Sequence, residues 1–551
     1  MKRLQSFLVA CAATIALGIG AAAAGEYVDW NDDGTVTLKL GPDYDNVEIV
    51  VPQESLGDLI TGPDDLPFEG AEITVLTLDS GPKGGISGPL MAFRPVWEEL
   101  TGGTVDIALT PITDLYAKMM LDLRQGQGLY DGMIVGAFFY GDLVGGDFMI
   151  PVDDYLESGE HPTWSYDVMP ASLLNLHTWQ GVGYGILNDA DGQVLYYRKD
   201  ALEDPEHQAA FKEEAGYDMP VPPQTWQQLL DIANYFSGKN WDDNDAEPDS
   251  GMVLHLKVGE QGHYHFQSLS APFAITPGDE GVTQYENVYW FDPTDMTPMI
   301  NSPGHVAALE FLQELHKTGP AAQVGWSLGE AWDYFLRGKS VFVFSWGDVG
   351  SLCQDESRSK IKGVCASAVL PSSDTYWDHR NEAWVENDNP QLVGNTTGGS
   401  WHGVISAFAE EPDAAYNFFS LMAVKEVSKW SAQNGWTGVD PGYSYQMLEA
   451  DGGEATVEDY VEAGWHPDDV TSYTKAYFDT FNAETMLTYL RIEGAPEYWD
   501  IMDKNLSAAM AGEKSAQQAL DDTAAAWEEI TDRLGRDKIL QQYQEAIGFK
   551  G

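Results

Sequence analysis

The pattern that most constrains this chain lies between residues 72 and 142, where strand and helix signatures alternate. Residues 72–78 (EITVLTL) are rich in β-formers and carry no turn residue, as expected for a buried strand. A Gly- and Pro-rich loop follows at 79–88 (DSGPKGGISG). Leu90, Phe93, Val96, Trp97 and Leu100 then recur at the spacing of one helix face. A second strand (104–109), a second helix carrying Leu115, Met119 and Leu123, and a third strand (132–139) complete the run. Such alternation predicts an α/β domain built on a parallel or mixed sheet. Ligands of these sheets sit beyond the carboxyl ends of the strands. That rule nominates Asp79 and Ser80 after the first strand, and Tyr140 and Asp142 after the third. The 79–88 loop has neither the Walker spacing nor the GxGxxG order, so it is not read as a phosphate cradle.

At 551 residues the chain is too long for one core, and a second lobe is expected. The stretch 184–202 (YGILNDADGQVLYYRKDAL) marks the passage between the two. It reads as a short strand, a polar turn, and a second apolar strand that runs into a helix. Acids at such a crossing, Asp189 and Asp191, would face an interlobe cleft; the alternative is a solvated turn within one domain. Further on, 332–348 (WDYFLRGKSVFVFSWGD) reads as a helix, a glycine turn and a strand ending in Trp346-Gly347-Asp348. An aromatic face beside a carboxylate suits a sugar, ring against C–H groups and acid against hydroxyls; the alternative is a core tryptophan. His263, Tyr264 and His265 read as cleft-wall or packing residues, and residues 480–489 read as helical.

Charge excludes several functions. There are 87 acidic against 29 basic residues, a net charge of −58. Nucleic acid is a poor partner, because phosphate binding needs clustered Lys and Arg. The acids are scattered, which fits a heavily hydrated surface in a saline medium, where self-repulsion is screened. Arg491, isolated in so acidic a chain, is expected to have an acidic partner. Asp29-x-Asn31-x-Asp33-Gly34 imitates half of a calcium loop, but its twelfth position is Leu40 where a bidentate Glu is needed. A tight turn is the preferred reading there, as it is for the alternating acids Asp243, Asp245 and Glu247. No metal site and no cofactor are expected.

The first 24 residues have the form of an export signal: Lys2 and Arg3, an apolar run, then Ala22-Ala23-Ala24 before Gly25. Leu8-Val9-Ala10-Cys11 imitates a lipidation signal, but the apolar run continues past Cys11, so a free periplasmic protein is expected. Cys353 and Cys365 are the only other cysteines and should form a disulfide in an exported chain. Residues 25–70 form an acidic N-terminal extension with strands near 35–40 and 47–51.

Several blocks occur in a familiar order: Tyr130-Asp131-Gly132, Ile150-Pro151-Val152-Asp153-Asp154-Tyr155-Leu156, Tyr196-Tyr197-Arg198-Lys199-Asp200, Thr225-Trp226, Leu370-Pro371, and Gly398-Gly399-Ser400-Trp401. With the 335–346 segment, the helix opening at Pro412 and the 511–520 tail, they resemble the family 1 extracellular solute-binding proteins of ABC importers, the sugar and polyol class that includes maltose-binding protein. The resemblance spans roughly 72–540. It implies a periplasmic binding protein type II-like fold: two α/β lobes joined by a hinge, with a ligand cleft between them. Residues 71–188 with 402–480 would form the first lobe, and 192–400 with 485–551 the second. It implies capture of a sugar, oligosaccharide or polyol by a monomer that hands it to membrane permease subunits, without catalysis. The stacking tryptophan of the class would fall on Trp346, and Trp401, Trp436 and Tyr443 become further cleft residues. The acidic candidates disfavour an anionic ligand unless Arg491 or Arg94 reaches the cleft. Two other classes remain: a secreted glycan-active hydrolase using paired carboxylates, and a calcium-dependent surface-binding protein.

Overall fold

The computed structural model describes residues 25–242, 249–276, 288–387, 390, 392–434, 438–487 and 489–549. The expected export signal, Trp436 and the acids at 243, 245 and 247 lie outside the described residues.

The first sheet is mixed and follows the strand–helix alternation. Its main path runs Ile186–Asp189, Trp401–Ser406, Gly132–Gly136, Glu72–Leu78, Thr104–Thr110, with Met149–Ile150 paired to Trp401–Ser406. The strand Glu72–Leu78 is central and parallel to both of its neighbours. The helix Gly88–Thr101 starts with Pro89 in its first turn and stops at Gly102, whose φ of 77° is the left-handed value that glycine tolerates. It buries the apolar face read from the sequence, Leu90, Phe93, Val96, Trp97 and Leu100. The indole N–H of Trp97 donates to Asn417 Oδ1 at 2.9 Å, which satisfies the one polar atom of that buried ring.

The second sheet has four strands in the order Ser250–Val253, Ser340–Ser345, Val194–Arg198, Cys365–Ala368. Its two central strands are buried throughout, which explains their unbroken apolar runs. The disulfide Cys353–Cys365 closes a short loop beside this sheet. The helix Trp226–Phe236 covers the sheet and begins with a capping box between Thr225 and Gln228.

The stretch 184–202 joins the two sheets. Ile186–Asp189 pairs antiparallel with Trp401–Ser406, and Val194–Arg198 pairs antiparallel with Ser340–Ser345. The chain therefore passes from one sheet to the other between Asp189 and Val194, and returns just before Trp401. The two passages are tied by Asn395, which accepts from Gln193 N at 2.8 Å and donates to Gln193 O at 2.9 Å. A third passage follows later. The helix Pro467–Phe481, expected with the first lobe, packs on Cys365–Ala368 of the second sheet. The helix expected over 480–489 ends at Phe481. Thr485–Met486 is instead a short strand, held parallel to Val393–Gly394 beside the return passage. The C-terminal helices, expected with the second lobe, touch both: Ala495–Met510 packs on His263–Ala274 and on residues 137–139.

The N-terminal extension is a three-stranded antiparallel sheet, Val28–Trp30, Thr35–Lys39 and Glu48–Pro52. It is seated on the first lobe, where Glu99 accepts from the N–H groups of Tyr27 and Val28 at 2.8 and 3.1 Å. Val36, Leu38 and Val51 are fully buried there. The Asp33-Gly34 segment is a hairpin turn: Asp33 Oδ1 accepts from Thr35 N and Oγ1, and Asp29 pairs with Lys39 at 3.1 Å.

Candidate functional site

A cavity of about 620 Å³ opens between the two sheets. Each wall is built by chain leaving the carboxyl end of a strand. After Glu72–Leu78 the Gly-rich loop turns back on itself: Ser80 and Ser87 share a hydroxyl contact of 2.9 Å, and Ser87 Oγ donates to Gly81 O at 2.9 Å. Knotted in this way, the loop presents Ser80, Lys83 and Ile86 to the cavity and commits the Ser80 hydroxyl to its own structure. After Ser340–Ser345 the second lobe contributes Trp346 and Asp348. The crossing contributes Asp189 and Asp191, and Trp401 stands where the chain returns.

The aromatic residues are fixed by their polar ends. Trp346 Nε1 donates to Thr397 O at 2.7 Å, and the Trp346 carbonyl accepts from Tyr196 Oη at 2.9 Å. Tyr264 stands edge-on to Trp346, ring centroids 5.5 Å apart. Trp332 donates to Ser345 Oγ at 2.8 Å. The Trp401 side chain hydrogen-bonds Asp191 and helps hold its charge.

Four aspartates gather at the base. Asp189, Asp191 and Asp348 line the cavity, and Asp440 lies behind them, 1% exposed. Burial pushes Asp189 up to about 7, offset by hydrogen bonds from the N–H groups of Asp440 and Ala190. Burial, then the charges of Asp189 and Asp348, holds Asp191 well above the usual carboxylate range. Asp348 is raised by burial and by Asp189, with Arg358 opposing. Asp440 is raised by burial and then by the other three acids. Two segments interlock here. Gly347 and Gly438 have no side chain because a Cβ on Gly347 would overlap Asp440 Oδ1, and one on Gly438 would overlap Asp348 Oδ1. Among the described residues no group of three or more His, Cys, Asp or Glu side chains is arranged to hold a metal ion.

Of the residues nominated from sequence, Ser80, Asp189, Asp191, Trp346, Asp348 and Trp401 line this cavity. Asp79 does not: it is exposed, and its Oδ1 accepts from Gly81 N within the loop. Tyr140 and Asp142 do not, because the tail of the chain covers the end of the third strand. Asp142 Oδ2 accepts from Gly494 N at 3.0 Å, Gly141 lies against Ile492, and Tyr140 Oη meets His402 Nδ1 at 2.9 Å. Tyr443 is buried behind the wall, stacked on Tyr445. Arg491 does not line the cavity. Its guanidinium donates to the carbonyls of Asn175, Thr178 and Ala546, and it lies over Trp179. Sequence reasoning missed Lys83, Gln261, Trp332, Arg358 and Asp440. Trp332 stood in the stretch already singled out, but Asp440, in Asp-Pro-Gly, reads locally as a turn.

Comparison with known proteins places this geometry. Residues 97–442 match the family described as bacterial extracellular solute-binding protein. The sn-glycerol-3-phosphate-binding periplasmic proteins UgpB of Shigella dysenteriae and Escherichia coli are 24% identical over 343 residues. That match covers 60% of this chain and 62% of theirs. Similar solved structures include an ABC transporter solute-binding protein from Agrobacterium radiobacter in complex with ribitol, with a TM-score of 0.61 and 17% identity over 84% of this chain and 100% of that one. Another, from Agrobacterium vitis with bound D-mannitol, has a TM-score of 0.60 and 19% identity over 85% and 99%. Maltose-bound T. maritima MalE3 has a TM-score of 0.59 and 19% identity over 84% and 100%. The fold is thus the two-lobed type II binding-protein fold, and the chain belongs to the bacterial extracellular solute-binding protein family.

Proposed function

We propose that this protein is the substrate-binding component of an ABC importer, capturing an uncharged sugar or polyol in the interlobe cavity and delivering it to permease subunits. The observation that carries this reading is the composition of the cavity. Trp332, Trp346 and Trp401 line the same cavity as Asp191 and Asp348. Ring faces take the C–H side of a polyhydroxylated ligand, and carboxyl groups take its hydroxyl protons. A micromolar complex needs about 8 kcal/mol. One or two aromatic platforms and a few hydrogen bonds in a water-excluding cleft supply that amount. Three acids, Asp189, Asp191 and Asp348, line the cavity against two cations, Lys83 and Arg358; this balance disfavours a ligand with an anionic group, so a phosphate ester such as the one named for the UgpB relatives should bind poorly here. We read the protein as acting without catalysis, as a monomer, in the periplasm after removal of residues 1–24.

The test is a thermal-shift screen in molar salt against glycerol, ribitol, mannitol, monosaccharides, maltose and sn-glycerol 3-phosphate. A ligand that binds only the folded state raises Tm. A shift with a neutral sugar or polyol is expected. A shift with the phosphate ester alone would overturn the neutral-ligand reading, and turnover of a glycan by the purified protein would overturn the non-catalytic one.

A further inference from the structure

We propose that Asp440, which does not line the cavity, is a positioning residue for ligand capture: it stands as a neutral acid in a relay that fixes Asp189 and Trp346 from behind. This rests on reading the cavity as the ligand site.

The Tyr477 hydroxyl lies 2.7 Å from Asp440 Oδ2 and 3.0 Å from Gly192 O. It is also within hydrogen-bonding reach of Tyr196, whose own proton goes to the Trp346 carbonyl at 2.9 Å. Tyr477 therefore faces acceptors on every side with a single proton to give. An ionised Asp440 would take that proton and leave the buried Gly192 and Tyr196 oxygens with lone pair facing lone pair. A protonated Asp440 reduces the unmet contacts from two to one. Its Oδ2–H donates to Tyr477 Oη, and Tyr477 donates onward to the crossing or to Tyr196. The other carboxyl oxygen, Oδ1, has no hydrogen-bond partner among the described residues, although the side chain is 1% exposed. A bare oxygen is tolerable on a neutral carboxyl group and costly on an ionised one.

The surroundings favour the same state. Facing Asp440 are Asp189 and Asp191 from the crossing and Asp348 from the second lobe. Tyr196 from the second sheet and Tyr473 and Tyr477 from the helix Pro467–Phe481 face it as well. Every charge in that set is negative. Arg358 acts on Asp348 and is bonded to Asp333 at 2.8 Å.

Two ligand-facing groups hang on this relay. The backbone N–H of Asp440 donates to Asp189 Oδ1 at 2.7 Å, holding the carboxyl group that enters the cavity from the crossing. Through Tyr477 and Tyr196 the relay reaches the carbonyl of Trp346. Asp440 thereby links the third passage between the lobes to the first, and sets a cavity residue on each side of the cleft.

The test uses Asp440→Asn, Asp440→Ala and Tyr477→Phe in the full mature protein. The asparagine amide can donate to Tyr477 as the protonated acid does, so Asp440→Asn should keep ligand affinity within about threefold of wild type. Asp440→Ala and Tyr477→Phe should each weaken it about tenfold or more. Wild-type affinity should fall at alkaline pH as Asp440 ionises, and Asp440→Asn should lose that limb of the profile. Equal losses in Asp440→Asn and Asp440→Ala would overturn the proposal. A second readout needs no ligand: the infrared stretching band of protonated carboxyl groups at neutral pH should lose intensity in Asp440→Asn. An unchanged band would show that Asp440 carries no proton and would overturn the relay even if the cavity binds as proposed. If the band falls but no neutral sugar or polyol binds, the fault lies with the reading of the cavity, and positioning for capture falls with it.

Discussion

Replacing Trp346 with alanine tests the cavity most directly. The indole is 4% exposed, lines the cavity, and spends its N–H on Thr397 O. At 4% exposure only about 10 Å² of the indole is open to a ligand, worth about 0.3 kcal/mol at ~25 cal/mol per Å². The larger effect is loss of the wall itself, since truncating a well-packed tryptophan anchor in a binding pocket costs about 2 kcal/mol. The expected loss is therefore roughly 30-fold in Kd. Trp346→Phe keeps an apolar face and gives up the bond to Thr397, a loss of about 1 kcal/mol. The variants should fall in the order wild type, phenylalanine, alanine. The assay is isothermal titration with the ligand found by the screen, below the melting temperature of each variant, because truncating a buried tryptophan also costs about 3–5 kcal/mol of stability. If Trp346→Ala keeps native circular dichroism and binds within about threefold of wild type, the ligand does not lie on this face and the reasoning fails.

Other outcomes follow from the same geometry. Gly347→Ala and Gly438→Ala should each lower Tm and weaken binding, since the new Cβ overlaps a carboxyl oxygen across the interlock; wild-type behaviour in both would remove the interlock. Asp189, raised to about 7, contributes stability that is present below its unfolded value near 4 and lost as pH rises toward 7. Melting curves of Asp189→Asn should therefore gain on wild type across that range. The buried neutral histidines act in the opposite sense: His177 is depressed to about 4, and His255, His263 and His305 to about 3, by burial. Their contribution is present above 6.5 and lost as pH falls through those values, so far-acid unfolding should persist in Asp189→Asn. Converting Cys353 and Cys365 to serine together should cost about 3 kcal/mol in a denaturant titration, the chain-entropy value for so short a loop.

What the sequence disclosed and what it hid divide along a physical line. Strands and their carboxyl ends are local properties, and they led to Ser80, Trp346 and Asp348. The crossing was legible because Val194 to Tyr197 is apolar on both faces, directly after a turn too polar for a core. Tyr140 and Asp142 sit at a strand end as well, but Ile492 and Gly494 close over them, and nothing within the third strand announces that distant cover. In a dry interior, carbonyl oxygens at helix and strand ends serve as acceptors for Arg491. Asp440 was hidden because its significance comes from Tyr477 and Asp189, and from no neighbour in sequence.

The threefold passage of the chain between lobes has a consequence for biogenesis. Neither lobe is a continuous length of polypeptide: Gly132–Gly136 must wait for Trp401–Ser406, and Cys365–Ala368 for the helix Pro467–Phe481. Pairings so distant in sequence form slowly. A nascent chain of this design cannot complete either half until nearly all of it has been synthesised. Such a precursor stays threadable while it is being made, and it locks only when its last helices arrive. The connectivity that joins the two lobes thus also postpones the completion of each.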